Sequence, residues 1–181
     1  VTFERRWEDN PVHDSYYPEP DTKRIAYKEG IFVGYRGYEH NQTKPLFPFG
    51  YGLSYTNFKY SNVAVNAVTD APSSGLRYEV SFDVQNTGKR IGAEVAQVYV
   101  HSKQAATPRP EKELKGFVKV NLKPGETRRV NVTLEERAFS YYDVNTKQWR
   151  ADPGQYEILI GHSSAQVELR YTLTYGGIRL R

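Results

Sequence analysis

Leu76-Arg77-Tyr78-Glu79-Val80-Ser81-Phe82-Asp83-Val84-Gln85-Asn86-Thr87-Gly88 is the stretch on which the fold turns. Apolar side chains fill every second position from Leu76 to Val84, with polar or charged ones between them. In an extended chain a period of two sends these sets to opposite faces, so this is a strand with one face buried. Asn86-Thr87-Gly88 supplies the turn that ends it. Phe58 to Val68 is the strand before it. Glu94 to His101 is the strand after it, and its alternation (Val95, Ala96, Val98, Tyr99, Val100) is weaker. Such weakness is expected of a strand covered on both faces. Glu113 to Leu122 comes next, Pro124-Gly125 turns the chain, and Val130, Val132 and Leu134 alternate again. Pro153-Gly154 precedes Tyr156, Ile158 and Ile160, and Val167, Leu169, Tyr171 and Leu173 complete the series. About seven short strands with turns between them and no helix of normal length specify an all-β sandwich of the immunoglobulin type. Tyr156, at the start of the penultimate strand, stands where such sandwiches carry a tyrosine corner; the alternative is an ordinary core tyrosine.

Residues 1–57 read differently. Twelve of these 57 residues are aromatic, and Pro11, Pro18, Pro20, Pro45 and Pro48 interrupt every long element. Gly30, Gly34, Gly37, Gly50 and Gly52 add turn signals. Only Ile31 to Tyr38 reads as a short element, of open type. The region is expected to be an extended, mostly irregular arm that must lie against something else. The sandwich is expected to begin near Phe58, and the arm to touch it through Phe47, Phe49 and Tyr51.

Composition bounds the function. The chain has 181 residues, 38% hydrophobic and 14% aromatic, which is globular rather than disordered. It has no cysteine, hence no disulfide framework or thiol chemistry. No run of 18 apolar residues is present, so no membrane-spanning helix is expected. It begins at Val1 and has no methionine, which leads one to expect a processed or excised piece. The net charge of +4 divides into −1 over residues 1–57 and +5 over residues 58–181. That excess is mild, and with no nucleic-acid motif no nucleic-acid partner is expected.

Motifs for chemistry are sparse. His13, His40, His101 and His162 are scattered without metal-ligand spacing, so no metal is expected. Ser15, Ser54, Ser140 and Ser163 lack the glycine setting of a nucleophile elbow. Gly34, Gly37 and Gly50 form no phosphate-cradling loop, and no cofactor is expected. Glu111 and Glu113 share one face of an extended segment, about 6.5 Å apart by the strand rise. With Lys112 and Lys115 around them they read as a solvated mixed-charge face, as does Glu135-Glu136. Lys112, Lys115, Lys119, Lys123, Arg128 and Arg129 read as two neighbouring strands whose edge is protected by charge. Asn41-Gln42-Thr43 and Asn131-Val132-Thr133 are glycosylation sequons that matter only in a eukaryotic secreted protein. Tyr141, Tyr142 and Trp149 are candidates for a weak sugar contact, against the plainer reading of packing at a sandwich end.

The motifs also carry a resemblance. Arg6-Trp7-Glu8-Asp9-Asn10-Pro11, Tyr27-Lys28-Glu29-Gly30-Ile31-Phe32-Val33-Gly34-Tyr35-Arg36 and Phe47-Pro48-Phe49-Gly50-Tyr51-Gly52-Leu53-Ser54-Tyr55-Thr56 resemble the C-terminal tail of glycoside hydrolase family 3 β-glucosidases. Asn86 to Val100, Lys112-Glu113-Leu114-Lys115-Gly116-Phe117, Pro124-Gly125-Glu126 and Gly161-His162-Ser163-Ser164 resemble that family's fibronectin type III-like domain. The resemblance implies that residues 1–57 are the end of an α/β sandwich domain plus a linker, and residues 58–181 the accessory domain. The parent's retaining mechanism uses an aspartate nucleophile and a glutamate acid/base, both upstream, so no catalytic residue is expected in this chain. Phe47, Phe49, Tyr51 and Tyr55 are the expected interdomain interface, and the upstream catalytic domains the expected partner. β-Glycoside substrate is expected only through the parent, and an uncovered arm is expected to self-associate. The resemblance favours an extracellular or periplasmic parent.

Overall fold

The computed structural model describes residues 1–68, 76–176 and 178–179. Its strands are β1 (Phe58–Val68), β2 (Arg77–Asn86), β3 (Gly92–Ser102), β4 (Glu113–Leu122), β5 (Thr127–Leu134), β6 (Tyr141–Asp143), β7 (Gln148–Ala151), β8 (Gly154–Gly161), β9 (Val167–Tyr175) and β10 (Ile178–Arg179). The seven strands expected from alternation are β1 to β5, β8 and β9. They pair antiparallel as two layers, β1-β2-β5 and β4-β3-β8-β9. The fold is the expected all-β sandwich.

Alternation decides what lies between the layers. Tyr78, Val80, Phe82 and Val84 of β2 meet Ala96, Val98 and Val100 of β3, Val130, Val132 and Leu134 of β5, and Ile158 and Ile160 of β8 in one buried cluster. Phe82, Val84, Val98, Ile158 and Ile160 are fully buried, each contributing about 1.5–3 kcal/mol of transfer free energy. One end of the core is plugged by rings. Phe139 stacks on Tyr175 (5.2 Å) and meets Tyr78 (5.3 Å) and Tyr156 (5.4 Å). Tyr156 is a tyrosine corner: its buried hydroxyl donates to the Asp152 carbonyl at 2.9 Å, four residues upstream.

Two features depart from the sequence reading. A third, small sheet, β10-β7-β6, joins the hairpin β6-β7, inserted between β5 and β8, to the strand that follows β9. Its strands of three and four residues are too short to show a period, and Lys147 turns the chain at φ +53° without a glycine signal. The basic residues of β4 and β5 do not share a sheet. β4 is an edge of one layer and β5 an edge of the other, so Pro124-Gly125 crosses the sandwich rather than closing a hairpin.

The arm is mostly irregular, as expected. It holds two single-turn 3-10 segments, Trp7–Asp9 and His13–Ser15, and one short helix, α1 (Tyr35–His40). The open-type element at Ile31–Tyr38 is therefore a helix that starts later. Gly37 is required inside it: a Cβ there would sit 2.1 Å from the Phe32 carbonyl and 2.6 Å from Pro11. A bridge between Phe3 and Phe47 ties the arm's two ends together.

Tyr156→Phe leaves the buried Asp152 carbonyl without its donor. It is expected to lower unfolding free energy by about 1–2 kcal/mol, read from the urea midpoint at unchanged slope.

Candidate functional site

The outer face of β4-β3-β8-β9 is where the arm lands. Alternation sends Ala96, Val98 and Val100 into the core and leaves Gln97 and Tyr99 pointing outward, yet both are buried (4% and 0% exposed). Leu159, paired with Tyr99 across β8, is likewise outward and buried. The ring of Tyr35 on α1 meets Tyr99 edge-on at 6.0 Å and Phe49 at 5.3 Å, and its hydroxyl accepts the Leu114 N–H at 2.8 Å. Tyr99 donates its hydroxyl to Gln97 Oε1, and Gln97 Nε2 donates to the His162 carbonyl at 2.7 Å. Gly50 lies directly over that amide at φ +80°, where a Cβ would come within 2.1 Å of it. The Phe49 carbonyl accepts the Ser164 N–H at 2.9 Å. Thr56 fixes the arm's exit by donating to the buried Asn86 side chain at 2.6 Å.

An ion network flanks this contact. Glu113 lies 2.9 Å from Arg109, 3.4 Å from Lys115 and 3.9 Å from Arg36 of α1, and Lys112 lies 2.6 Å from Glu39 of α1. The expected solvated strand face is thus a half-buried hub, because α1 covers it. Burial pushes the Glu113 carboxyl up, but Lys115, Arg109 and Arg36 together outweigh burial and hold it below the usual carboxylate range. At the other edge His162 Nδ1 lies 2.8 Å from Glu94 Oε1 and Nε2 lies 3.6 Å from Glu168. The hydrogen bond to Glu94 raises its pKa above 6.5 against the opposing effect of burial. Tyr60 donates to the same Glu94 oxygen at 2.8 Å.

Of the expected interface residues, Phe49 sits under Tyr35. Phe47 stacks on Tyr51 at 5.2 Å, both half exposed, and Tyr55 is 90% exposed. The expected sugar-contact residues line one cleft of about 740 Å³ between the 107–115 segment, the β6–β7 hairpin and α1. Tyr142 and Trp149 pair across the hairpin with rings 5.5 Å apart at 64°, so they make a corner rather than a flat array. Arg137 covers one Trp149 face, 3.3 Å from the ring centre, and Arg109 lies 5.7 Å from Tyr141. Sequence reasoning missed Tyr35, Gln97, Arg109 and Arg137. The doubly covered look of β3 was the one signal for Gln97. Among the described residues no three His, Asp or Glu side chains gather to hold a metal ion. Nor is any helix among them long and apolar enough to cross a membrane.

The fibronectin type III-like domain family matches residues 94–164. Thermostable β-glucosidase B of Acetivibrio thermocellus is 46% identical over 169 residues, covering 93% of this chain and 22% of that protein. β-Glucosidase B of Emericella nidulans is 45% identical over 173 residues, covering 90% and 20%. The structure of β-glucosidase 3B from Thermotoga neapolitana with α-D-glucose superposes with a TM-score of 0.89 at 34% identity, over 100% of this chain and 25% of that one. The chain is similar to the C-terminal part of glycoside hydrolase family 3 β-glucosidases. It spans about a fifth of the length of the curated relatives it matches. The matched span runs from Glu94 in β3 to Ser164 just after β8, and the arm docks on the outer face of β3 and β8.

The two ionic sites give the docked arm opposite pH limbs. The lowered Glu113 pKa contributes stability that is present above 4.5 and lost as pH falls through the folded value. The raised His162 pKa contributes stability that is full below 6.5 and lost as pH rises through the folded value. Glu113→Gln is expected to cost roughly 2–3 kcal/mol at neutral pH, because it strands three cations, with the difference from the parent chain shrinking in acid. His162→Gln is expected to flatten the alkaline limb alone. Thermal melts across pH check both. Parallel curves for the parent chain and either variant would show that the corresponding pair does not set that limb.

Proposed function

We propose that this chain is the non-catalytic C-terminal accessory module of a β-glucosidase-type glycosidase, stabilising or assembling catalytic domains that lie upstream. The supporting observation is the combination of its match to a small part of larger β-glucosidases with an arm that is half docked. One side of that arm is sealed against the sandwich through Tyr35 and Phe49. The other presents Leu53 (89% exposed), Tyr55 (90%) and Tyr27 (80%) to solvent. Large apolar side chains left this exposed mark a surface made to be covered. In this reading residues 1–57 are the end of an α/β sandwich domain plus linker, and residues 58–181 are the accessory domain. Phe47, Tyr51 and Tyr55 complete the contact with the upstream domain. The parent hydrolyses terminal β-glycosides by a retaining mechanism, with both carboxylates supplied upstream. Left uncovered, the same surface drives self-association.

The test is a graft. β-Glucosidase B of Acetivibrio thermocellus is cut before its matching region, with and without this chain fused in its place. The fused enzyme is expected to hydrolyse a nitrophenyl β-glucoside and the truncated one to lose most of that activity, while the chain alone gives no turnover. Turnover by the chain alone, or an undiminished truncated enzyme, would refute the reading.

The domain division has its own check. A chain starting at Asn57 uncovers Gln97, Tyr99 and Leu159, and is expected to melt well below the full chain. Equal melting temperatures would mean that the arm adds nothing to the sandwich.

A second reading is a carbohydrate- or polymer-binding role that targets the enzyme. What favours it is the convergence of Tyr141, Tyr142 and Trp149 on one open cleft.

A further inference from the structure

We infer that the cleft beside the β6–β7 hairpin binds an acidic saccharide, a pyranose bearing a carboxylate, with Arg137 as the carboxylate anchor. This rests on the carbohydrate-binding reading and specifies its ligand class. A sugar site needs an aromatic surface for the C–H face of the ring and directional polar groups for its substituents. Tyr142 is 47% exposed at the corner it forms with Trp149, and the cleft volume of about 740 Å³ admits more than one sugar unit.

The charges around the cleft select the acidic form. Arg36, Arg109 and Lys115 are already committed to Glu113. Asp143 accepts the Asn145 N–H at 2.9 Å and faces Arg150 at 3.9 Å. Glu135 is exposed at the rim. Arg137 is different. Among the described residues its guanidinium has no carboxylate within 4.0 Å, and its side chain rests on the face of Trp149. A guanidinium laid flat on an indole keeps its in-plane N–H donors free, in the fork geometry that a carboxylate accepts two at a time. The indole also holds the guanidinium in place, so little side-chain entropy is lost on binding. The excess of +5 over residues 58–181 adds long-range attraction for an acidic polymer.

The full chain is titrated with methyl β-D-glucuronide, methyl β-D-glucoside and benzoate. Calorimetry and the fluorescence of its two tryptophans report binding. The glucuronide is expected to bind saturably, the glucoside about tenfold or more weakly, and added salt to weaken only the glucuronide. Arg137→Gln, at an exposed position of the 3-10 turn Glu136–Phe139, is expected to remove the preference at an unchanged melting temperature. Tyr142→Ala is expected to weaken both sugars. Equal binding of glucuronide and glucoside would overturn the acidic assignment and leave the carbohydrate reading standing. Binding of neither sugar would overturn both. Benzoate bound as tightly as the glucuronide, and lost in Arg137→Gln, would overturn the saccharide in favour of a planar aromatic acid.

Discussion

Burying the outward side of β3 is the constraint on which the rest of this structure depends. A sheet strand has two faces, and the sandwich core uses only one of them, through Ala96, Val98 and Val100. Tyr99 and Gln97 occupy the other, and neither is stable bare beside Leu159. Covering a tyrosine removes roughly 150–250 Å² from water, an upper bound of about 4–6 kcal/mol before the entropy of ordering the cover. No charge pair among the described residues approaches that figure, because desolvation offsets most of the Coulomb attraction of a half-buried ion. Tyr35 and Phe49 therefore hold the arm, and the ions around Glu113 fix where it sits. The amide of Gln97 connects the two tasks: one end takes the Tyr99 hydroxyl, the other reaches the His162 carbonyl beneath the loop that binds Phe49.

The strands of the sandwich were legible because each is long enough to show its period. β2 runs ten residues with four core side chains on one face, and no helix buries such a pattern. The tyrosine corner was legible because a Pro-Gly turn fixes where β8 starts. Strands β6 and β7 were not, since three or four residues contain at most two repeats of the period and lean on neighbours for their pairing. The crossing at Pro124-Gly125 was misread for a related reason. A tight turn specifies that the chain reverses, not which of two layers receives the next strand.

The misreading of Glu113 has a more general cause. Its sequence neighbourhood, Glu111-Lys112-Glu113-Leu114-Lys115, is what a solvated strand face looks like. Burial there is imposed by α1, which lies 73 to 78 residues earlier in the chain, and a local pattern carries no trace of so distant a cover. The weak alternation of β3 was the trace that did survive. Its second face had to satisfy the arm, so residues there could not all be polar. Gly50 is the matching trace on the arm, since only a residue without a Cβ can lie on the Gln97 amide.

Arm docking and the cleft are one electrostatic unit. Arg36 of α1 lines the cleft wall and reaches Glu113, and Arg109 joins the same carboxylate to the Phe139 carbonyl at the base of the hairpin. As long as the arm is seated, Glu113 absorbs three cations and Arg137 is the cleft's one uncommitted cation among the described residues. With α1 displaced, Glu113 would lose Arg36 and its cover from water, and its hold on Arg109 and Lys115 would weaken in the higher dielectric. The cleft would then offer several loosely held cations instead of one held rigid on an indole. Selectivity for a ligand in that cleft is therefore a property of the docked arm as much as of the hairpin. The same arm carries the exposed rings that an upstream domain would cover, so the seam between domains and the shape of the cleft answer to a single set of contacts.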